Sequence, residues 1–285
     1  MMTLVEQLNY YRDQFIEYLK VEQKKSMHTY VSYNLDLGKC IKTIESIKDK
    51  KSLTIAQILE NYVKEICQSN LTKSSIARKI SCFSTFVRFL NAKGIVVDIT
   101  LYRPQFKEKA PLVFSMDKIL KMLENTINHK NKARCYVRER AIWELLCATG
   151  MRCSEIIALK IDDICLQEYK VAVKDSKNVA RMLFFDQRTA TFLKNYLEKE
   201  RPRYNPKETF LFLNSAGNRL TRRAIQRSLK LLAKLLNIEA EITPHTLRHS
   251  YATNLLKNGA SLEQIKNNLG LRTCETVEKY VPYAK

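Results

Sequence analysis

No apolar run in the 285 residues approaches the length needed to span a bilayer, and Glu6 and Asp13 interrupt the amphipathic start. Neither a membrane span nor a secretory leader is therefore expected. None of the eight cysteines (Cys40, Cys67, Cys82, Cys135, Cys147, Cys153, Cys165 and Cys274) falls in a CxxC pair or beside a histidine. They mostly sit within apolar helical patterns, where a free thiol acts as a small hydrophobe. This argues against a zinc site or disulfide framework and fits a reducing cytosol. There is no P-loop and no carboxylate metal cluster, so no cofactor is expected, and no helix-turn-helix or zinc-finger signature marks a base-reading helix. Acidic residues are also scarce: 29 Asp and Glu face 49 Lys and Arg, for a net charge of +20. The excess is shared, with 18 basic against 11 acidic residues through residue 110 and 31 against 18 beyond it. Positive charge on both halves is the footprint of a nucleic-acid binder, although charge alone also suits an acidic membrane surface or a generic basic protein.

The length suffices for a proper core and for one to three domains. Residues 4–22, 26–47, 54–68 and 72–92 read as four helices. In the last, Ile76, Ile80, Phe83, Val87 and Leu90 recur at steps of four and three, and Gly94 is a plausible stop. Lys73, Arg78, Lys79 and Arg88 lie around that stripe; each alone reads as a solvated charge, but together they suggest contacts to a DNA backbone. Residues 101–115 break the periodicity with Pro104 and Pro111. They read as a linker whose Arg103, Lys107 and Lys109 either track the same backbone or are simply solvated. The expected division is a helical DNA-binding domain over 1–100, a linker over 101–114 and a second domain over 115–285.

That second domain opens at Ser115, a helix cap ahead of Ile119, Leu123 and Ile127. A helix over 133–148 holds the single tryptophan, Trp143, and ends in Ala148-Thr149-Gly150-Met151-Arg152-Cys153-Ser154-Glu155. The glycine turns the chain and leaves Arg152 at a helix–helix turn, free to reach a ligand or to pair with Glu155. Residues 169–174 and 181–185 alternate as a hairpin around Lys177-Asn178. A helix from Asp186, a strand over 209–213, a Gly217-Asn218 turn and a helix from Thr221 follow. The fold class expected is mostly α with a small β-sheet (α+β).

The most informative stretch runs from Thr243 to Leu256, TPHTLRHSYATNLL. His245 and Arg248 are one helical turn apart, so both side chains can address one bound group. A guanidinium fork beside a neutral imidazole suits phosphate: the arginine holds two oxygens while the histidine exchanges a proton.

Four motifs in order, ATGMRCSE, a hairpin lysine, HTLRHSYAT and LGLRTCETVEKY, make the second domain resemble the tyrosine recombinases, which include phage integrases and Xer-type resolvases. The resemblance extends more loosely to the helical first domain, which implies a core-binding domain ahead of a catalytic one. It implies Arg152 and Arg248 as phosphate-binding arginines, His245 as the first active-site histidine, Tyr280 as nucleophile and Lys177 as the hairpin lysine, with Lys174 as the competing choice. The implied activity is site-specific cleavage and rejoining of DNA through a 3′-phosphotyrosine, for integration, excision or resolution, without cofactor. The implied partner is double-stranded DNA bearing a recombination site, with self-association to a tetramer, and the place of action is the cytoplasm. Two features depart from the pattern. Leu271 stands where the family writes His or Trp, nine residues before the nucleophile, which removes a hydrogen-bond donor. The tail after Tyr280 is too short to form a helix for a neighbouring subunit. A type IB topoisomerase-like activity and a non-catalytic DNA binder on the same fold are the alternatives; His249 is expected to pack or brace the fold.

Overall fold

The computed structural model describes residues 3–45, 54–99, 101, 112–126, 136–174 and 179–284. The chain forms two compact units, Met1–Glu108 and Lys109–Lys285. Among its described residues the first is built of helices: α1 (Leu4–Val21), α2 (Met27–Glu45), α3 (Ile55–Gln68) and α4 (Lys73–Ala92). Thr3 and Thr54 open α1 and α3 through capping boxes with Glu6 and Gln57, satisfying amide donors that the first turn leaves free. Phe15, Phe83, Phe86 and Phe89 fill the centre, and the stripe on α4 is buried throughout.

Lys79 lies within this unit rather than on its surface. It is 7% exposed, and its ammonium donates to Asp36 at 2.8 Å, beside Arg78 on the other carboxylate oxygen. A buried carboxylate needs such partners, so Lys79 leaves the set of candidate DNA contacts. Arg78 also pairs with Asp36 but keeps 44% of its side chain in solvent. Lys73 is exposed at the first turn of α4, whereas Arg103, Lys107 and Lys109 lie outside the described residues.

The second unit is built on α5 (Met116–Asn125), α6 (Tyr136–Thr149), α7 (Cys153–Ile156), α8 (Gln187–Asn195), α9 (Arg222–Leu235), α10 (Pro244–Lys257), α11 (Leu262–Leu269) and α12 (Glu275–Glu278). Ser115, Asp186 and Thr221 cap their helices by accepting backbone N–H bonds. The three-stranded antiparallel sheet has the order β1 (Ile164–Cys165), β2 (Lys170–Lys174), β3 (Ala180–Phe184), with Val171 opposite Leu183 and Val173 opposite Arg181. The fold is mostly helical with a small sheet, as expected. The strand expected over 209–213 is not one: its residues make only single bridges, Lys160 to Phe210 and Leu213 to Arg219. Ile164–Cys165 supplies the third strand instead.

Trp143 is fully buried on α6 and donates its indole N–H to Ser228 on α9 at 2.7 Å. The carboxylate of Glu144 on the same helix holds both Arg140 and Arg188, closing another polar group inside the core. α10 is buried nearly all round. Two side chains anchor it to the strand-like segment before α5: the Phe114 N–H donates to Ser250 at 2.9 Å, and Asn254 donates to the Phe114 carbonyl at 3.0 Å.

Candidate active site

The Thr149–Arg152 turn is shaped by Gly150, which adopts φ +60°; a Cβ there would lie 2.5 Å from Cδ1 of Tyr251. Only glycine allows both the left-handed backbone and this contact with α10. The approach lets Arg248, 5% exposed, donate to the Gly150 carbonyl at 2.9 Å and to the Leu269 carbonyl at the end of α11. Arg152 stands at the N-cap of α7. Its backbone N–H donates to Glu155 at 2.7 Å, and its guanidinium donates to Glu155 at 3.0 Å and to the Gly270 carbonyl at 3.1 Å. It remains about one-third exposed, with an edge open to a ligand.

Glu155 is the hub of this wall. Arg181 on β3 grips the same carboxylate with both terminal nitrogens, at 3.0 and 2.9 Å, and its Nε donates to the Asn268 carbonyl at 2.9 Å. Gly270 ends α11 at φ +57°, and a Cβ there would sit 2.8 Å from the Arg181 guanidinium. The glycine before Leu271 therefore makes room for the arginine. Burial pushes the Glu155 carboxyl up, but hydrogen bonding and charge from Arg181 and then Arg152 outweigh it and hold the carboxyl below its ordinary value.

The arginine cluster has more positive charge than Glu155 balances. Burial and the nearby Arg152 pull the Arg248 guanidinium down to about 10. His245 is exposed, and desolvation, Arg248, Arg152 and Lys279 lower its pKa. Arg152 lowers Arg248 and both arginines lower His245, an excess of positive charge that suits a bound anion.

Tyr280 is 3% exposed and packs with Tyr251, Ala252, Ile265, Leu269 and Val277, with Leu271 partly buried against the same cluster. Burial raises its phenol pKa, while Arg248 and Arg152 pull the other way. Lys279 places its ammonium 5.1 Å from the centre of the Tyr280 ring. Arg152, His245, Arg248 and Tyr280, four of the five residues singled out from sequence, thus share one electrostatic neighbourhood. The fifth, Lys177, lies outside the described residues, and Lys174 sits exposed at the end of β2 opposite Ala180. Lys266, five residues before Leu271, pairs with Glu263 at 2.6 Å.

Sequence reasoning did not assign two relationships. The Glu155–Arg181 pairing joins positions 26 residues apart and has no local signature. The ring of His249 lies 5.2 Å from that of Tyr280 and 6.4 Å from that of His245. Its one available signal was the helical spacing that puts 245 and 249 on one face.

The fold and this wall define an enzyme class that comparison with known proteins names. Residues 113–285 match the model of the phage integrase family, and residues 13–94 match that of the phage integrase N-terminal SAM-like domain. The tyrosine recombinase XerD of Staphylococcus epidermidis is 32% identical over 279 residues, covering 96% of this chain and 94% of the relative. A tyrosine recombinase XerC of Lactobacillus delbrueckii subsp. bulgaricus is 33% identical over 281 residues, covering 94% and 92%. Among solved structures, the XerH recombinase on a palindromic difH substrate shares the fold at TM-score 0.76 and 19% identity, over 100% of this chain and 95% of that one. The chain belongs to the phage integrase family. It is a tyrosine recombinase, an enzyme of DNA strand breakage and rejoining.

Proposed function

We propose that this chain is a site-specific recombinase that works in the cytoplasm on double-stranded DNA, assembling as a tetramer on two copies of its site. Residues 1–100 serve as the core-binding domain, 115–285 as the catalytic domain and 101–114 as the connection between them. The observation that carries this reading is the convergence of Arg152, Arg248 and His245 on one anion site with Tyr280 beside it. The Xer-type relatives and the XerH complex, described as bound to difH substrate before and after cleavage, support it.

In this reading Arg152 and Arg248 hold the non-bridging oxygens of the scissile phosphate and take up charge as the phosphorane forms. Tyr280 attacks phosphorus and makes a 3′-phosphotyrosine, while Lys177 protonates the departing 5′ oxygen. His245 serves as general base or proton relay. A phenol of reference pKa about 10 is roughly one-thousandth ionised at neutral pH, and burial makes ionisation harder still, so proton removal must accompany attack. The bond energy stays in the covalent link, and the freed 5′-hydroxyl can reverse the step without ATP.

The test is a nicked suicide duplex carrying the recognition site, drawn from DNA flanking the gene. Wild type is expected to give a covalent protein–DNA band and Tyr280→Phe none. Absence of a band with wild type on DNA it demonstrably binds would overturn the reading in favour of a DNA-binding protein with a dead site.

A further inference from the structure

Glu139, on the first turn of α6, takes no part in strand cleavage, yet it is 8% exposed and only half satisfied. Its Oε1 atom accepts from the Arg138 guanidinium, with Nε at 3.2 Å. Its Oε2 atom is buried and has no hydrogen-bond partner among the described residues. Buried polar atoms are paired in the great majority of cases, and a buried carboxylate oxygen without a donor is costly. The side chain lines a cavity of about 360 Å³ between the start of α6, the 214–220 segment and α9, a volume within the range of small-molecule sites. Leu220, Ala224 and Leu231 give this cavity an apolar wall. Arg227 lines it as well; it is exposed and makes no hydrogen bond or ion pair among the described residues. One acceptor, one guanidinium fork and an aliphatic wall call for a guest that is a donor at one point, an anion at another and apolar between.

We propose that this cavity is a binding site for a free α-amino acid with an aliphatic side chain. The ammonium group donates to Oε2 of Glu139, the carboxylate accepts from Arg227, and the side chain packs on Leu220, Ala224 and Leu231. The site is separate from the recombination chemistry and does not depend on Tyr280 being the nucleophile. Its position gives it a bearing on that chemistry all the same. It lies where α6 packs on α9; α6 leads at its far end to the Gly150–Arg152 turn, and α9 packs on α10. A guest held by Glu139 and Arg227 therefore braces the two helices behind the arginine wall. Ser228 also lines the cavity, and it accepts the indole N–H of Trp143 at 2.7 Å, so the only tryptophan in the chain stands one hydrogen bond from the guest.

The experiment is isothermal titration calorimetry on the full chain with three probes: L-leucine, L-leucinamide, which lacks the carboxylate, and 4-methylpentanoate, which lacks the ammonium. L-leucine is expected to bind with a Kd of about 1 mM or below. Each of the other two is expected to bind at least about tenfold more weakly, the loss of one charged hydrogen-bonding group. Trp143 fluorescence should change along the same L-leucine curve, which places the guest beside Ser228. Glu139→Gln is expected to weaken L-leucine at least about tenfold. Ala224→Phe fills the cavity without touching the Arg138–Glu139 pair and is expected to abolish binding, so the proposal remains testable if Glu139→Gln does not fold. In Arg227→Gln, L-leucine and L-leucinamide should bind alike. No heat with L-leucine up to roughly 20 mM would overturn the proposal. So would equal affinity for all three probes in wild type, or L-leucine binding that Ala224→Phe leaves unchanged. Tighter L-leucine binding in Arg227→Gln would show that the chain's own guanidinium fills the cavity, and would overturn it too.

Discussion

Glu155 is the position whose loss is expected to reach furthest. Its carboxylate accepts four hydrogen bonds, from the Arg152 backbone at 2.7 Å, the Arg152 guanidinium at 3.0 Å and the Arg181 guanidinium at 3.0 and 2.9 Å. With only 6% of its side chain exposed, no water can take over those oxygens. Glu155→Gln keeps the shape but removes the charge and aims an amide donor at guanidinium donors. Breaking a buried pair by removing one partner costs about 3–5 kcal/mol. Arg152 keeps about a third of its side chain in solvent and recovers part of that, which puts the loss near the lower end, about 3 kcal/mol. If misplacement of Arg152 carries the same energy into the transition state, single-turnover cleavage falls by roughly 150-fold at about 1.4 kcal/mol per tenfold. Urea unfolding and suicide-substrate kinetics on the same preparation measure the two consequences. The pH dependence provides an internal check. The folded carboxyl is held below its ordinary value, so its contribution is complete above the unfolded pKa of about 4.3 and fades as pH falls through the depressed folded value. Wild type should lose its advantage over Glu155→Gln in that acid window. Stability within about 0.5 kcal/mol and cleavage within about threefold of wild type would refute the hub.

Two further outcomes are expected. Leu271→His, which restores a donor beside Tyr280, should speed cleavage of the suicide duplex; an unchanged rate would mean that a group already present fills the role. Lys79→Ala should destabilise the first unit by about 1–3 kcal/mol in urea unfolding by removing a partner of buried Asp36, and DNA affinity measured on the folded fraction should stay the same.

Local chemistry in the sequence announced most of the helices. Ser115 accepts the N–H bond expected of a cap, and Asp186, Thr221 and Thr243 open their helices in the same way. The turn at Gly150 was legible because a tight reversal between helices calls for a residue that tolerates positive φ. A two-residue strand such as Ile164–Cys165 is too short to display alternation, and the apolar run TFLFL mimics a strand although its partners are scattered over Lys160 and Arg219. At the site, spacing identified residues that share a turn, His245 with Arg248 and Arg152 with Glu155. It was silent on Arg181 meeting Glu155, or Lys79 meeting Asp36 across 43 positions, because those depend on how separate elements pack.

Arg181 ties β3 to Glu155 and, through the Asn268 carbonyl, to the end of α11, where Gly270 leaves it room. A strand of the sheet, Arg152 and the turn leading to Tyr280 are therefore fastened at one joint. The four positions 152, 155, 181 and 270 amount to one heritable unit. A lineage that altered one of them alone would strand a charge or crowd a turn, so drift at this joint has to come as coordinated replacement.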